Sequence, residues 1–203
     1  MSAQKDEERT FLIGAPTFQA YQPVRWTSAD LDYFPDNGKR YEIINGELFV
    51  ERQPHWYHQQ ACTNIVIELG DWNRKRDMGQ VVQAPGVIFT DADDVAPDVV
   101  WASKERLAVI LKEDGHLHGT PELVVEVLSP GLRNEQRDLV TKLKLYSIQG
   151  VLEYWIVDWR IQTVAVYRRK EAMLQLVATL QHFDELTSPL LLGFRVSVAR
   201  LFS

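Results

Sequence analysis

The run PELVVEVLSP, Pro121 to Pro130, limits the fold more tightly than any other stretch of the chain. Side chains alternate across a strand, so Leu123, Val125 and Val127 share one face and Val124, Glu126 and Leu128 the other. Both faces are apolar except at Glu126. Such a strand belongs inside a sheet that is covered on both sides. An ionised carboxylate there must find a cation or take up a proton. The run itself holds no basic residue to supply one.

A second carboxylate has similar surroundings. In APDVVW, Asp98 lies between Pro97 and Val99-Val100. Two such carboxylates on adjacent strands could share a divalent metal, since Mg²⁺ favours one or two carboxylates together with waters and phosphate oxygens. The alternative is that each stands at an exposed strand end or pairs with a basic residue from elsewhere in the chain.

The remaining sequence supplies a sheet and helices to cover it. Thr27 to Tyr33 reads as a short helix capped by Thr27 or Ser28, with Asp30 and Asp32 near its positive end. RYEIINGELFV carries two apolar-rich runs around Asn45-Gly46, a strong hairpin signal. A two-residue turn pairs Ile44 with Glu47 and Glu42 with Phe49. One face then holds Glu42, Ile44, Glu47 and Phe49. The other holds Tyr41, Ile43, Leu48 and Val50 and is the apolar one.

A long helix is expected from about His55 to Asp77, with Ala61, Ile65, Leu69 and Trp72 inward and closure on Gly79. QVVQAPGVIF follows as a strand kinked at Pro85-Gly86, then an acidic turn and a strand starting near Ala96. A short helix and a loop lead to the Glu126 strand. NEQRDLVTKLKLYSIQG is a helix with Leu139, Leu143 and Tyr146 inward, ended by Gly150. LEYWIVD and QTVAVYRR are strands about a turn near Trp159-Arg160. MLQLVATL is another strand, and the tail is an edge strand with a terminal turn. This order describes a mixed α/β fold, a sheet flanked by helices with an N-terminal β-hairpin.

Composition narrows the class. The chain has 203 residues, which fits one domain over residues 25–203, preceded by a tail and lead-in over residues 1–24. No window is apolar enough to span a membrane. The lone Cys62 excludes an intrachain disulfide framework and a C-x-x-C metal clip; it is expected to be a packed thiol, compatible with a cytoplasmic location. The net charge of −6 argues against strong nucleic-acid binding by phosphate neutralisation alone. His116 and His118 lack a third nearby ligand and read as loop residues. Neither a G-x-S-x-G elbow nor a phosphate-cradling G-x-x-x-x-G-K-[ST] loop occurs.

Taken together and in order, YEIINGEL, APDVVW, PELVVEVLSP, RDLVTKLKLY and GVLEYWIVD resemble the Uma family of "putative restriction endonucleases", part of the PD-(D/E)XK nuclease superfamily. The likeness runs from about Tyr41 to Tyr167. It implies a restriction-endonuclease-like fold and a DNA-cleaving activity. It also implies that Asp98 and Glu126 hold Mg²⁺ or Mn²⁺, with the backbone carbonyl of Val127 as a third ligand. The superfamily lysine normally follows the glutamate by two residues, where this chain has Leu128. The resemblance moves that role to Lys142 in the next helix. Glu42 matches the family glutamate of the hairpin, with Glu47 on the same face as a weaker candidate. His58 matches a family histidine at the start of the long helix.

Helical spacing bears on Lys142 independently. Asp138, Lys142 and Tyr146 fall at i, i+4 and i+8 on one side, with Leu139 and Leu143 one position on and toward the core. Lys142 then stands at the core margin, its stem able to reach the end of the Glu126 strand. A solvated lysine paired with Asp138 is the other reading. Arg74-Lys75-Arg76, Arg133, Arg137 and Lys144 are candidates for the DNA backbone. By analogy the protein works as a homodimer, with LEYWIVD and QTVAVYRR near the interface. A nuclease-fold module with little or no activity, acting in nucleic-acid binding or regulation, is the alternative function. A hydrolase of other substrates using the same acidic cluster is a third.

Overall fold

The computed structural model describes residues 24–203; the expected N-terminal tail lies outside them, as does the side chain of Arg133. A short 3-10 helix, Ser28–Tyr33, precedes a hairpin of β1 (Arg40–Ile44) and β2 (Glu47–Glu51). The long helix α1 (Trp56–Arg76) leads to β3 (Gly79–Gln83), β4 (Val87–Thr90), β5 (Asp93–Val95) and β6 (Val99–Ser103). After α2 (Lys104–Ile110) comes β7 (Leu123–Val127), the strand of Glu126. A continuous helical segment follows, made of α3 (Leu132–Gln136), a π-helical stretch (Arg137–Lys142) and α4 (Leu143–Gln149). The chain ends through β8 (Glu153–Asp158), β9 (Thr163–Lys170), β10 (Met173–Leu180), β11 (Glu185–Thr187), β12 (Arg195–Ser197) and a 3-10 turn, Val198–Leu201.

Among the described residues the main sheet has six strands in the order β10-β9-β8-β7-β6-β3. Only β7 and β8 run parallel in it, joined by the helical segment that packs back on the sheet. The hairpin joins a smaller sheet, β2-β1-β5-β4. As the sequence requires, β7 is buried at every position. On one face Val125 and Val127 meet α1 through Ala61, Ile65 and Leu69, and also meet the C-terminal segment. On the other, Val124 and Leu128 pack with Ile44, Phe49, Leu145 and Tyr146. Glu126 belongs to this second face. None of the described helices is long and apolar enough to cross a membrane.

The hairpin register is as expected, Ile44 with Glu47 and Glu42 with Phe49. Its orientation is so only in part: Ile43 of the apolar face is fully buried, but Glu42, Ile44 and Phe49 of the other face are buried too, and Val50 is half exposed. The carboxylate of Glu42 can turn inward because basic side chains from the helical segment meet it there. The helical segment departs further, although Tyr146 is inward as expected. Leu139 is exposed, and Leu143 only partly buried, whereas Arg137, Asp138 and Lys142 are buried. Residues five apart in an α-helix lie about 140° from each other at ~100° per residue, but i→i+5 bonding draws them toward one side. The π-helical stretch therefore turns Arg137 and Lys142 inward together and Leu139 out.

Three smaller departures have local causes. Helix α1 ends on Asp77 in the left-handed conformation, φ 53°, two residues before Gly79. QVVQAPGVIF forms two strands in different sheets, divided after Ala84 at φ 49°. β8 and β9 are interior strands, and β10 takes the sheet edge, so the pair named for the dimer interface is not at the margin. Gly79 instead serves packing. A Cβ there would meet the Ala102 carbonyl oxygen at 2.1 Å. Gly79→Ala should therefore lower stability by about 1–3 kcal/mol in urea denaturation, since the sheet backbone must move to admit the methyl.

Candidate active site

Three strands and two helices converge on one buried group of charges. Asp98 precedes β6, and the antiparallel pairing of Val99 with Val125 sets it beside Glu126 of β7. Asp98 Oδ2 accepts from the Val127 N–H at 2.9 Å, which ties the two strand ends together. Its Oδ1 accepts from Arg40 at 3.1 Å, and His58 Nε2 of α1 lies 3.3 Å from Oδ2. Burial alone would raise the Asp98 carboxyl, but His58, Arg40 and the Val127 N–H together hold it well below the usual range. The same contact raises His58 in spite of its burial, which favours its protonated form.

Lys142 reaches the strand from the helical segment. Its Nζ donates to Glu126 Oε1 at 2.9 Å and to Glu42 Oε1 at 3.0 Å. Tyr146, one turn on, donates its hydroxyl to the same Glu126 oxygen at 2.7 Å. Glu42 Oε1 also accepts from the Ala96 N–H at 2.9 Å. Arg137 pairs with Asp138 at 2.8 Å and with Glu51, and its guanidinium is 3.9 Å from Glu42 Oε2. That Glu42 oxygen is buried without a hydrogen-bond partner.

The electrostatics divide these carboxylates. Burial would raise Glu42, yet Lys142 and Arg137 leave it lowered. Burial pushes Glu126 up to about 8 against the pull of Lys142, and Asp98, Asp138 and Glu42 add to the rise. The surrounding carboxylates outweigh burial at Lys142 and hold its proton firmly. Glu126 thus keeps its proton more tightly folded than unfolded. Its contribution to stability falls as pH rises from its ordinary 4.5 toward about 8.

Of the residues singled out in the sequence, Glu42, Asp98, Glu126, Lys142 and His58 come together and are buried. Glu47 is exposed at the turn end of the hairpin. Lys142 is fully enclosed rather than at the core margin. Arg137 is an internal partner of Glu42 and Glu51, which removes it from the proposed DNA contacts. Arg74, Lys75 and Arg76 lie at the far end of α1 from His58, about 25 Å away at 1.5 Å per residue. Lys144 is exposed. Sequence reasoning missed Arg40, whose position beside the Glu42 hairpin gave no sign that it meets Asp98. It also missed the neighbourhood of Cys62. The thiol is buried as expected, but Sγ lies 3.6 Å from His58 Nδ1, one helical turn away. His58, Cys62 and Asp98 bring potential ligand atoms within 4.8 Å of one another. Burial keeps the Cys62 thiol protonated, which disfavours it as a ligand.

Above this group a cavity of about 380 Å³ opens to solvent, lined by Arg40, Arg52, His58, Gln59, Asp98 and Ser129 among others. The arrangement therefore presents two buried carboxylates and a fixed ammonium, with Asp98 and His58 at a cavity open to solvent.

No curated protein matches the chain. Among solved structures, "a putative nuclease belonging to DUF820" from Anabaena variabilis ATCC 29413 is similar, with a TM-score of 0.70 and 19% identity. The match covers 87% of this chain and 97% of that one and establishes a shared fold. The model of the Uma2 family, described as "Putative restriction endonuclease", matches residues 28–199. By that match, which spans most of the chain, the protein belongs to the Uma2 family.

Proposed function

We propose that this nuclease-family protein is a metal-dependent endonuclease of DNA. In this reading Asp98, Glu126 and the Val127 carbonyl hold Mg²⁺ or Mn²⁺. The observation that carries it is the contact of Lys142 with Glu126 and Glu42 at the strand end beside Asp98. The residues fit a divalent cation. Glu42, Glu51, Asp98, Glu126 and Asp138 are gathered around Lys142, Arg137, Arg40 and His58, and the proton that Glu126 holds is one a divalent cation can replace. The unpartnered Oε2 of Glu42 is a further acceptor for a bound water. Hard oxygen ligands suit Mg²⁺ and Mn²⁺, whereas Cys62 would suit a softer metal.

When bound, such an ion polarises the scissile phosphate and lowers the pKa of an attacking water. The chain's own residues do the rest. Asp98, held ionised by His58 and Arg40, keeps one ligand position charged throughout the accessible pH range. Lys142, fixed by two carboxylates, orients the nucleophilic water or offsets negative charge developing on the phosphate. Tyr146 holds Glu126 in place. Arg40 and Arg52 line the mouth, where they meet the phosphate backbone. A homodimer would present one site to each strand of a duplex.

A second reading has its own support. Asp98 and Glu126 already have protein donors on their carboxylates, as in a self-contained ion network. A module with the fold but no activity could keep that network for stability alone. Calorimetric titration with Mn²⁺ separates the two. The nuclease reading expects binding that Glu126→Gln removes; no binding at millimolar metal favours the inactive module.

Asp98→Ala should abolish Mg²⁺- or Mn²⁺-dependent nicking of plasmid DNA, and equal cleavage by variant and parent overturns the site assignment. Lys142→Met should lose cleavage while still binding Mn²⁺. It should also cost about 3–5 kcal/mol of stability, because Glu42 and Glu126 are left buried without their cation.

The pH dependence follows from Glu126. Metal must displace the proton that burial holds there up to about 8. Apparent Mn²⁺ affinity should therefore rise with pH by up to about tenfold per unit between about 6.5 and about 8, with proton release, and level off above. Affinity independent of pH across this window would remove Glu126 from the ligand set.

A further inference from the structure

Beyond the acid cluster, the surface beside the site carries an unusual set of aromatic rings. His55, Trp56 and Tyr57 stand at the N-terminus of α1, immediately before His58, and all are exposed. Trp159 follows β8, and its Nε1 donates to the Leu128 carbonyl at 3.1 Å, two residues beyond Glu126. The His55 ring stacks on Trp159 with centroids 4.7 Å apart and planes 9° apart. Tyr57 lies 5.7 Å from Trp159. Tyr57 is 56% exposed, so part of its ring faces solvent.

Of these rings, His55, Tyr57 and Trp159 border a row of cavities beside the site. The cavity that opens on Asp98 and His58 shares Glu51, Arg52, Pro54 and Ser129 with a neighbour of about 290 Å³ that reaches His55. Across the stacked His55-Trp159 pair is a third cavity, of about 340 Å³, lined by Tyr57, Gln60, Trp159, Arg160 and Gln162. Charge is spent there. Arg160 is bonded to Asp158 at 2.8 Å and to Glu135 at 2.6 Å, so little is left to neutralise phosphate. The rings and the amides of Gln60 and Gln162 remain, and these suit the faces and edges of bases rather than a backbone.

Base faces are hidden in a stacked duplex and available in an unpaired strand. We propose that this row of cavities binds a single-stranded segment of DNA, whose bases stack on Tyr57 and Trp159, and so directs the site to single-stranded or branched substrates. This rests on the nuclease reading and names its substrate class. The net charge of −6 agrees with it, because stacking needs few phosphate contacts.

Fluorescence anisotropy of the full chain with labelled oligothymidylate, metal removed by a chelator, reads binding apart from cleavage. The single strand should bind more tightly than a blunt duplex of the same length. Its affinity should fall by less than about tenfold between about 50 and about 200 mM salt, since only one or two phosphates are neutralised. Tyr57→Ala should weaken it by about fivefold or more, while Tyr57→Phe retains it. Preference for the duplex, a steep salt dependence, or no effect of Tyr57→Ala overturns the proposal. Oligothymidylate binding without any cleavage under Mn²⁺ would keep the binding site and remove the nuclease reading. Metal-dependent cleavage of duplex DNA without single-strand preference would do the reverse.

Discussion

Lys142 is enclosed between Glu126 and Glu42, and the rest of the architecture is arranged to make that possible. An ammonium taken out of water is costly unless carboxylates at hydrogen-bond distance replace its hydration. The partners come from segments 16 and 100 residues away, so the contact exists only when β7, the hairpin and the helical segment are all in place. Its geometry demands that the π-helical stretch turn its polar side to the sheet. It demands equally that the hairpin tuck Glu42 inward. The exposed Leu139 follows from the first requirement.

Around this contact the charges are graded. Asp98 is kept ionised by donors at the solvent side, where His58 and Arg40 meet it. Glu126, one step deeper, is driven toward its protonated form by burial. A pair of carboxylates with opposed tendencies, one always charged and one responsive to a cation, is a physical basis for recruiting a metal. The cavity above them opens to solvent, and in the proposed reading the rings beside it give a single strand a place to lie.

Much of the frame was legible in the sequence because it depends on local pattern. The two-faced apolar run of β7 identified a central strand, the Asn45-Gly46 pair set the hairpin register, and the Ala61-Ile65-Leu69-Trp72 stripe marked the buried side of α1. The stripe of Asp138, Lys142 and Tyr146 was also visible as a stripe. Periodicity shows which residues share a side, but the side that faces inward was assigned by hydrophobicity, and that rule fails where a polar side is matched by buried partners. Arg137 and Arg40 were misread or missed for the same reason, since their carboxylates lie far off in the chain.

The sequence by itself determined that Glu126 needs a proton or a cation from outside its own strand. It also determined most of the strands, the principal helix and family membership through motifs held in order. Only the tertiary structure decided which cation answers Glu126, which side of each amphipathic element is inside, and that rings at the start of α1 meet the end of β8. The physical reason is that local propensity and alternation act over a few residues. Pairing of buried charge acts across the fold and can overrule them, because leaving a charge unpaired costs more than exposing a leucine.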